Sequence, residues 1–386
     1  MQTAKNYNVL RVSQNLKALG ALKSKQPEAD ILKNYTGWGG LREAIYTPEV
    51  YRELKKLLTA NEIASLKQTL SSAYYTPVKV VQFIYQAIAK LNKPLKRILE
   101  PSIGHGVFIE QMPQTLRAQA KIIGVEIDEA SCKLVSQLYP ELTIKHTGFQ
   151  AFDTDVRFDL IIGNPPYGRD ALTDRNHPDL SELKIHHYFV AKCMRLLADD
   201  GVLVMVLPKY FLDNRRDHAR HIIHKEGGRL LAAYRLPDDL FCDAKVTVDI
   251  VFLTKQSGVT DWLHAEKQFV DGKPLFINRY FIQNPSHIIG KLSAIEAFGR
   301  AELTCKHSSQ IDTFEALNTQ LQAFPPAQLR SLPEYKAMLK QKLDVINAKI
   351  TQLNKEREEL LQVEREIAKQ EAVFLRHCHA SLSKFE

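Results

Sequence analysis

Apolar residues change their spacing twice along the chain. From Ala4 to Leu22 they recur at the three-and-four interval of an amphipathic helix, and Val78 to Leu91 repeats that interval behind Thr76-Pro77, where proline suits a first helical turn. Between these stretches lie a Gly-rich aromatic loop, Asn34-Tyr35-Thr36-Gly37-Trp38-Gly39-Gly40, and a polar segment that reads as one helix from Thr47 to Leu70. From Leu95 short, nearly all-apolar runs alternate with helical stretches. The runs are 97–100, 121–126, 142–146, 158–163 and 201–208, with a long helix over 182–198 before the last. Two further runs, 230–236 and 246–253, suit an antiparallel pair. Strands apolar on both faces and separated by helices predict a doubly wound, Rossmann-like α/β sheet.

After Lys255 the pattern is irregular to about Pro333. From Leu339 it turns to heptads, through Leu343, Ile346, Ile350, Leu353, Leu360, Ile367 and Phe374, interrupted by Arg357, Glu364 and Glu371. That spacing predicts a long, charged, imperfect coiled-coil helix. Four regions result: a helical N-terminal cap over 1–70, a sheet domain over 71–255, a small irregular region over 256–335 and a coiled-coil tail over 336–386.

Composition narrows the class. The 386 residues are 45% hydrophobic and 25% charged, ordinary for a globular protein. No charge-free apolar run is long enough for a membrane helix, and nothing behind Met1-Gln2-Thr3-Ala4-Lys5 resembles a secretory signal, so the expected location is cytoplasmic. The five cysteines are scattered without a C-x-x-C pair, which predicts reduced thiols and no metal site. A net charge of +8 is compatible with a polyanionic partner such as DNA.

The sharpest motif is Asn164-Pro165-Pro166-Tyr167-Gly168, directly after the run 158–163. At the carboxyl end of a parallel strand it faces the crevice where such sheets bind ligands. Two prolines remove two N–H donors and leave carbonyls free to accept. An Asn side-chain oxygen and a main-chain carbonyl can then accept both hydrogens of one amino group, while Tyr167 offers a flat face to a planar base. Asn-Pro is also a common turn opener, which is the structural alternative. The second motif, Glu100-Pro101-Ser102-Ile103-Gly104-His105-Gly106, follows the run 97–100. Its small residues allow a ligand close to the backbone. It is neither a Walker loop nor a full dinucleotide fingerprint. Glu126 ends the next strand, where a carboxylate holds ribose hydroxyls, so the pair points to an adenosine-type cofactor.

The order Tyr74-Tyr75-Thr76-Pro77, Glu100-Pro101-Ser102-x-Gly104-x-Gly106, Glu126, Asn164-Pro165-Pro166-Tyr167 resembles the amino-group DNA methyltransferases of the N6-adenine type. Tyr35–Gly40 and the segment Arg279-Tyr280-Phe281-Ile282-Gln283-Asn284-Pro285 resemble parts of the methylase module of large phage and plasmid methylase–helicase proteins. The resemblance implies S-adenosylmethionine as cofactor, held by Thr76, Glu100, Pro101, Ser102, Gly104, Gly106, Glu126, Phe149 and Asn164. It implies that Asn164 and the Pro165 carbonyl bind the target amino group, with Pro166 in the same catalytic segment and Tyr167 and Phe241 stacking on a flipped base. Two positions depart from it: His105 stands where a small or acidic residue is usual, and Gln150 where an acid is frequent. It further implies recognition by the region 256–335. The expected function is site-specific methylation of adenine N6 in DNA, with the tail docking a second copy or a specificity or restriction partner. Methylation of an RNA base or a protein glutamine amide fits the same motif. So does a partner-dependent subunit of a restriction-modification or phage-defence complex.

Overall fold

The computed structural model describes residues 2–24, 26–70, 76–168, 170–241, 245–255, 261–297, 299–324 and 332–382; Tyr74 and Tyr75 of the first motif lie outside them. Residues 1–328 form one compact unit and 329–386 a second.

The first unit is organised by a seven-stranded sheet: β1 Arg97–Glu100, β2 Lys121–Glu126, β3 Thr143–His146, β4 Phe158–Gly163, β5 Leu197–Pro208, β6 Arg229–Arg235 and β7 Val248–Thr254. The spatial order is β3-β2-β1-β4-β5-β7-β6. β7 runs antiparallel to both its neighbours, and the remaining pairs are parallel. The expected doubly wound sheet and its antiparallel last pair are therefore present. Strand order reverses between β1 and β4, the switch point where open α/β sheets bind ligands. β4 and β5 are almost wholly buried, which explains their unbroken apolar sequence.

Two expectations are corrected. The polar stretch 47–70 forms two helices, Pro48–Leu57 and Ala60–Thr69. The first ends at an extended Leu58, and Thr59 starts the second through a capping box. Its hydroxyl accepts from Glu62 N at 3.3 Å, and Glu62 Oε2 accepts from Thr59 N at 2.6 Å. The region after Lys255 is also more regular than its composition predicts. It contains two antiparallel hairpins, β8 Ala265–Val270 with β9 Lys273–Asn278 and β10 Lys291–Ala297 with β11 Arg300–Lys306, then a helix Thr313–Ala323.

The first hairpin is tied to the sheet by buried polar bonds. Arg235, fully buried on β6, donates from Nε and Nη2 to the Asp249 carboxylate on β7 at 2.8 and 2.9 Å, and its Nη1 pairs with Asp213 at 2.7 Å. Asp213 Oδ1 accepts from Asn278 N at the end of β9, and the Asn278 amide donates to Leu212 O and Trp262 O. Burying three charges is costly unless each is paired and hydrogen-bonded, as they are here.

The second unit contains one helix, Leu332–Leu382, of 51 residues. Leu343, Ile346, Ile350, Leu353, Leu360 and Ile367 of the heptad stripe are all exposed; the Leu339 and Phe374 side chains lie outside those described.

Candidate active site

A cavity of about 360 Å³ opens at the carboxyl ends of β1, β2 and β4. That is within the range of small-ligand sites. Three loops converge on it. The loop after β1 contributes Glu100, Pro101, Ser102, Gly104 and His105, β2 ends on Glu126, and the segment after β4 contributes Asn164, Pro166 and Tyr167. Thr76 and Phe149 also line it.

The loop after β1 is stitched to the end of β2. Ile103 N donates to Val125 O at 3.0 Å, and Gly104 N to Glu126 Oε2 at 2.8 Å. Glu126 Oε1 accepts from Ile127 N and Asp128 N at 2.8 and 2.9 Å. Gly124 leaves room for the Ile103 side chain, since a Cβ there would stand 2.6 Å from Ile103 Cδ1 and displace it. Gly106 sits at φ +85°, a conformation that only glycine adopts without strain, and turns the chain into the short helix Val107–Glu110. It shapes the loop without lining the cavity.

Burial sets the electrostatics. Glu100 is 1% exposed, and its Oε2 has no hydrogen-bond partner although it borders the cavity. Desolvation, reinforced by the charge of Glu126, holds its carboxyl well above the ordinary carboxylate range. Burial also raises Glu126, against the lowering effect of its three N–H donors. The buried Thr76 hydroxyl, likewise on the cavity, is a second orphan. Buried polar groups are rarely left unsatisfied, so a carboxylate oxygen and a hydroxyl facing one space mark where a ligand belongs.

The Asn-Pro-Pro-Tyr segment is positioned from both sides. Ser102 Oγ donates to the Asn164 main-chain carbonyl at 3.1 Å, joining the loop after β1 to the loop after β4. Tyr167 is buried to 8% exposure, and its hydroxyl donates to Val206 O on β5 at 3.1 Å, which fixes the plane of the ring. Pro165 is buried and does not line the cavity.

Phe241 is buried at 3% exposure and is not among the lining residues, so the structure does not bring it to the cavity with Tyr167. It lies beside residues 242–244, which are outside those described.

Sequence reasoning missed several contributors. Gln68 and Thr69 reach the cavity from the cap helix Ala60–Thr69, and Leu172, Ile185 and Phe189 add to the wall beside Gln150. Beneath Phe149 lies a buried ion pair: Lys192 Nζ donates to Phe149 O at 2.8 Å and to Asp174 Oδ2 at 2.9 Å. Asp174 also accepts from Tyr188 Oη and from the main chain of Asn176 and His177. A lysine within an apolar helix pattern reads as an interruption, and its partner lies in an irregular segment, so no local signal pairs them.

Within the cap, side chains of the first helix hold the Gly-rich turn. Arg11 donates to Thr36 Oγ1, Gly37 O and Gly39 O, and Asn15 donates to Gly37 O, fixing the Gly-rich turn with Trp38 buried. Burial and the Arg11 charge hold His105 down to about 4, so it is a neutral imidazole near pH 7.

The chain is similar to several known proteins. A type II methyltransferase, M.CvrRI, of Paramecium bursaria Chlorella virus XZ-6E is 34% identical over 145 residues, covering 37% of each chain. The defense against restriction protein B of Escherichia phage P1 is 24% identical over 265 residues, covering 65% of this chain and 10% of that one. The methyltransferase subunit of a type I restriction-modification system from Streptococcus thermophilus has a TM-score of 0.42 at 14% identity, over 80% of this chain and 78% of its own. The matched stretches span from a tenth to about two fifths of the length of the first curated relatives. Residues 59–227, a little under half of the chain, match the family model described as the Eco57I restriction-modification methylase.

Proposed function

We propose that the protein is an S-adenosylmethionine-dependent DNA methyltransferase that modifies the N6 amino group of adenine. The observation carrying this reading is the meeting of three loops in one cavity: orphaned Glu100 and Thr76, the tethered Glu126 turn, and Asn164 with Tyr167. The donor set fits the cofactor. Glu100 suits its ammonium group, Glu126 keeps lone-pair capacity for a ribose hydroxyl, and Phe149 offers an apolar face to its adenine. When bound, S-adenosylmethionine supplies a methyl group on a positively charged sulfur.

The remaining work belongs to the chain. The Asn164 side-chain oxygen and a carbonyl of the Pro165–Pro166 pair accept the two amino hydrogens and so aim the nitrogen lone pair. Their dipoles also stabilise the positive charge that develops on that nitrogen. Tyr167, anchored through its hydroxyl, stacks on a base that has left the duplex. The β8–β11 region and the basic surface supply DNA contacts, and the exposed heptad stripe docks a second copy or a specificity partner.

A tritium-transfer assay on DNA, RNA and protein extracts tests the substrate class, and sequencing of methylated product that resolves N6-methyladenine tests the atom. Transfer to RNA or to protein alone overturns the DNA assignment.

A further inference from the structure

Away from the cavity, three side chains converge where the helix His218–Lys225 meets the segment leading into β8. Asp217 is the N-cap of that helix, yet its carboxylate makes no capping bond, an interaction worth about 1 kcal/mol. It turns instead to two imidazoles. Oδ2 lies 3.1 Å from His264 Nδ1, and Oδ1 lies 3.7 Å from His221 Nδ1. One ligand atom from each residue lies within 4.8 Å of the others. Ligand atoms around a tetrahedral zinc stand roughly 3.3 Å apart given its bond lengths, a separation that half-exposed imidazoles reach by side-chain rotation.

The backbone carrying these groups is held by bonds that do not involve them. Arg220, fully buried, donates to Leu263 O at 2.8 Å, Phe211 O at 3.2 Å and Asn214 O at 2.8 Å. Asn278 donates to Trp262 O, and Arg279 N donates to His264 O at 2.9 Å. The ligands are thus preorganised from both sides of the junction, as a metal site requires. Two imidazoles and one carboxylate suit zinc and its neighbours; magnesium and calcium prefer oxygen ligands. The exposed Arg215 and Arg216 nearby further disfavour a weakly held hard cation.

We propose that Asp217, His221 and His264 bind one zinc-class divalent cation, with water completing the coordination. The ion clips the helix His218–Lys225 to the β8–β9 hairpin. This site is independent of the cavity and of the reading given for it. The cysteine spacing gave no hint of it, because its ligands come from two segments 43 residues apart.

The test uses the full chain, without an affinity tag and stripped with chelator, titrated with Co2+. The expected result is one equivalent bound, with the visible absorption of a tetrahedral site, displacement by Zn2+, and a rise in Tm with Zn2+. His221→Ala and His264→Ala should each abolish saturable binding and the rise in Tm, while His218→Ala, exposed on the same helix, should keep both. Absence of stoichiometric uptake at micromolar metal overturns the proposal. So does uptake in the His221→Ala, His264→Ala double variant that equals the parent's.

Discussion

The two walls of the cavity differ in how they handle charge. On the β1–β2 side, Glu100 and Glu126 are buried together, one with an orphaned oxygen and the other tied to three N–H groups. On the β4 side, Asn164, Pro166 and Tyr167 bring no formal charge, and Asp170 of the same segment meets the cavity from an exposed position. An acidic wall that is short of counter-charge suits a cationic ligand. A neutral wall of acceptors and a ring suits an uncharged planar one. On the proposed function the acidic end takes the cofactor and the other end the base, with the Ser102–Asn164 bond between them.

The sharpest way to break this comparison is on the neutral wall. Asn164→Ala should lower kcat by about 100-fold, the scale for losing one preorganised polar contact, with cofactor affinity nearly unchanged in calorimetry. Equal loss in both walls' readouts would mean that the walls are not separable.

Next in size are the acids. Glu126→Ala should weaken cofactor binding by about 10-fold, the scale of one lost charge-assisted contact, and should loosen the Gly104 turn it holds. Glu100 gives a pH signature. Its carboxyl is raised, so between the ordinary carboxylate range and its own it is neutral in the empty fold. A cationic ligand needs it ionised, so affinity should rise with pH across that window and a proton should be released. Stability of the empty fold should fall with pH over the same window, because ionisation is disfavoured in the folded state. Glu100→Gln should remove both dependences, as measured by titration calorimetry in buffers of different ionisation enthalpy.

Smaller effects are expected around the ring. Tyr167→Ala should reduce the fluorescence rise of a 2-aminopurine placed at the target. Tyr167→Phe should keep the stacking face and lose about 1 kcal/mol of stability with the buried bond to Val206. Phe241→Ala should leave the 2-aminopurine signal unchanged, since that side chain does not reach the cavity. A loss there would return Phe241 to the target side. Smallest of all, ending the chain before Leu332 should leave kcat unchanged while altering the sedimentation mass or losing a copurifying partner.

The sheet was legible because β4 and β5 are buried on both faces and so carry unbroken apolar runs. The motif residues were legible because each follows such a run directly. What was not legible depends on partners far along the chain. Lys192 meets Asp174 and Phe149 only in three dimensions. The hairpins after Lys255 have half-exposed strands, with β8 and β10 alternating without a strong apolar set, so their composition reads as loop. The break at Thr59 was readable as a Thr-x-x-Glu box, but the continuing polar pattern masked it. Phe241 was placed by resemblance to a family, and resemblance carries no side-chain direction.

The Arg235 cluster has a thermodynamic consequence. Its guanidinium joins β6 to Asp213, and Asp213 receives Asn278 from the end of β9. Removing the β8–β9 hairpin would take away an N–H that Asp213 accepts from and two donors to the carbonyls of Leu212 and Trp262. The sheet and the hairpin therefore melt together, and calorimetry of residues 1–328 should record one transition whose van't Hoff and calorimetric enthalpies agree. A hairpin grafted from a relative would need to bring its own Asn278 equivalent, so exchanging this element is constrained by one buried amide.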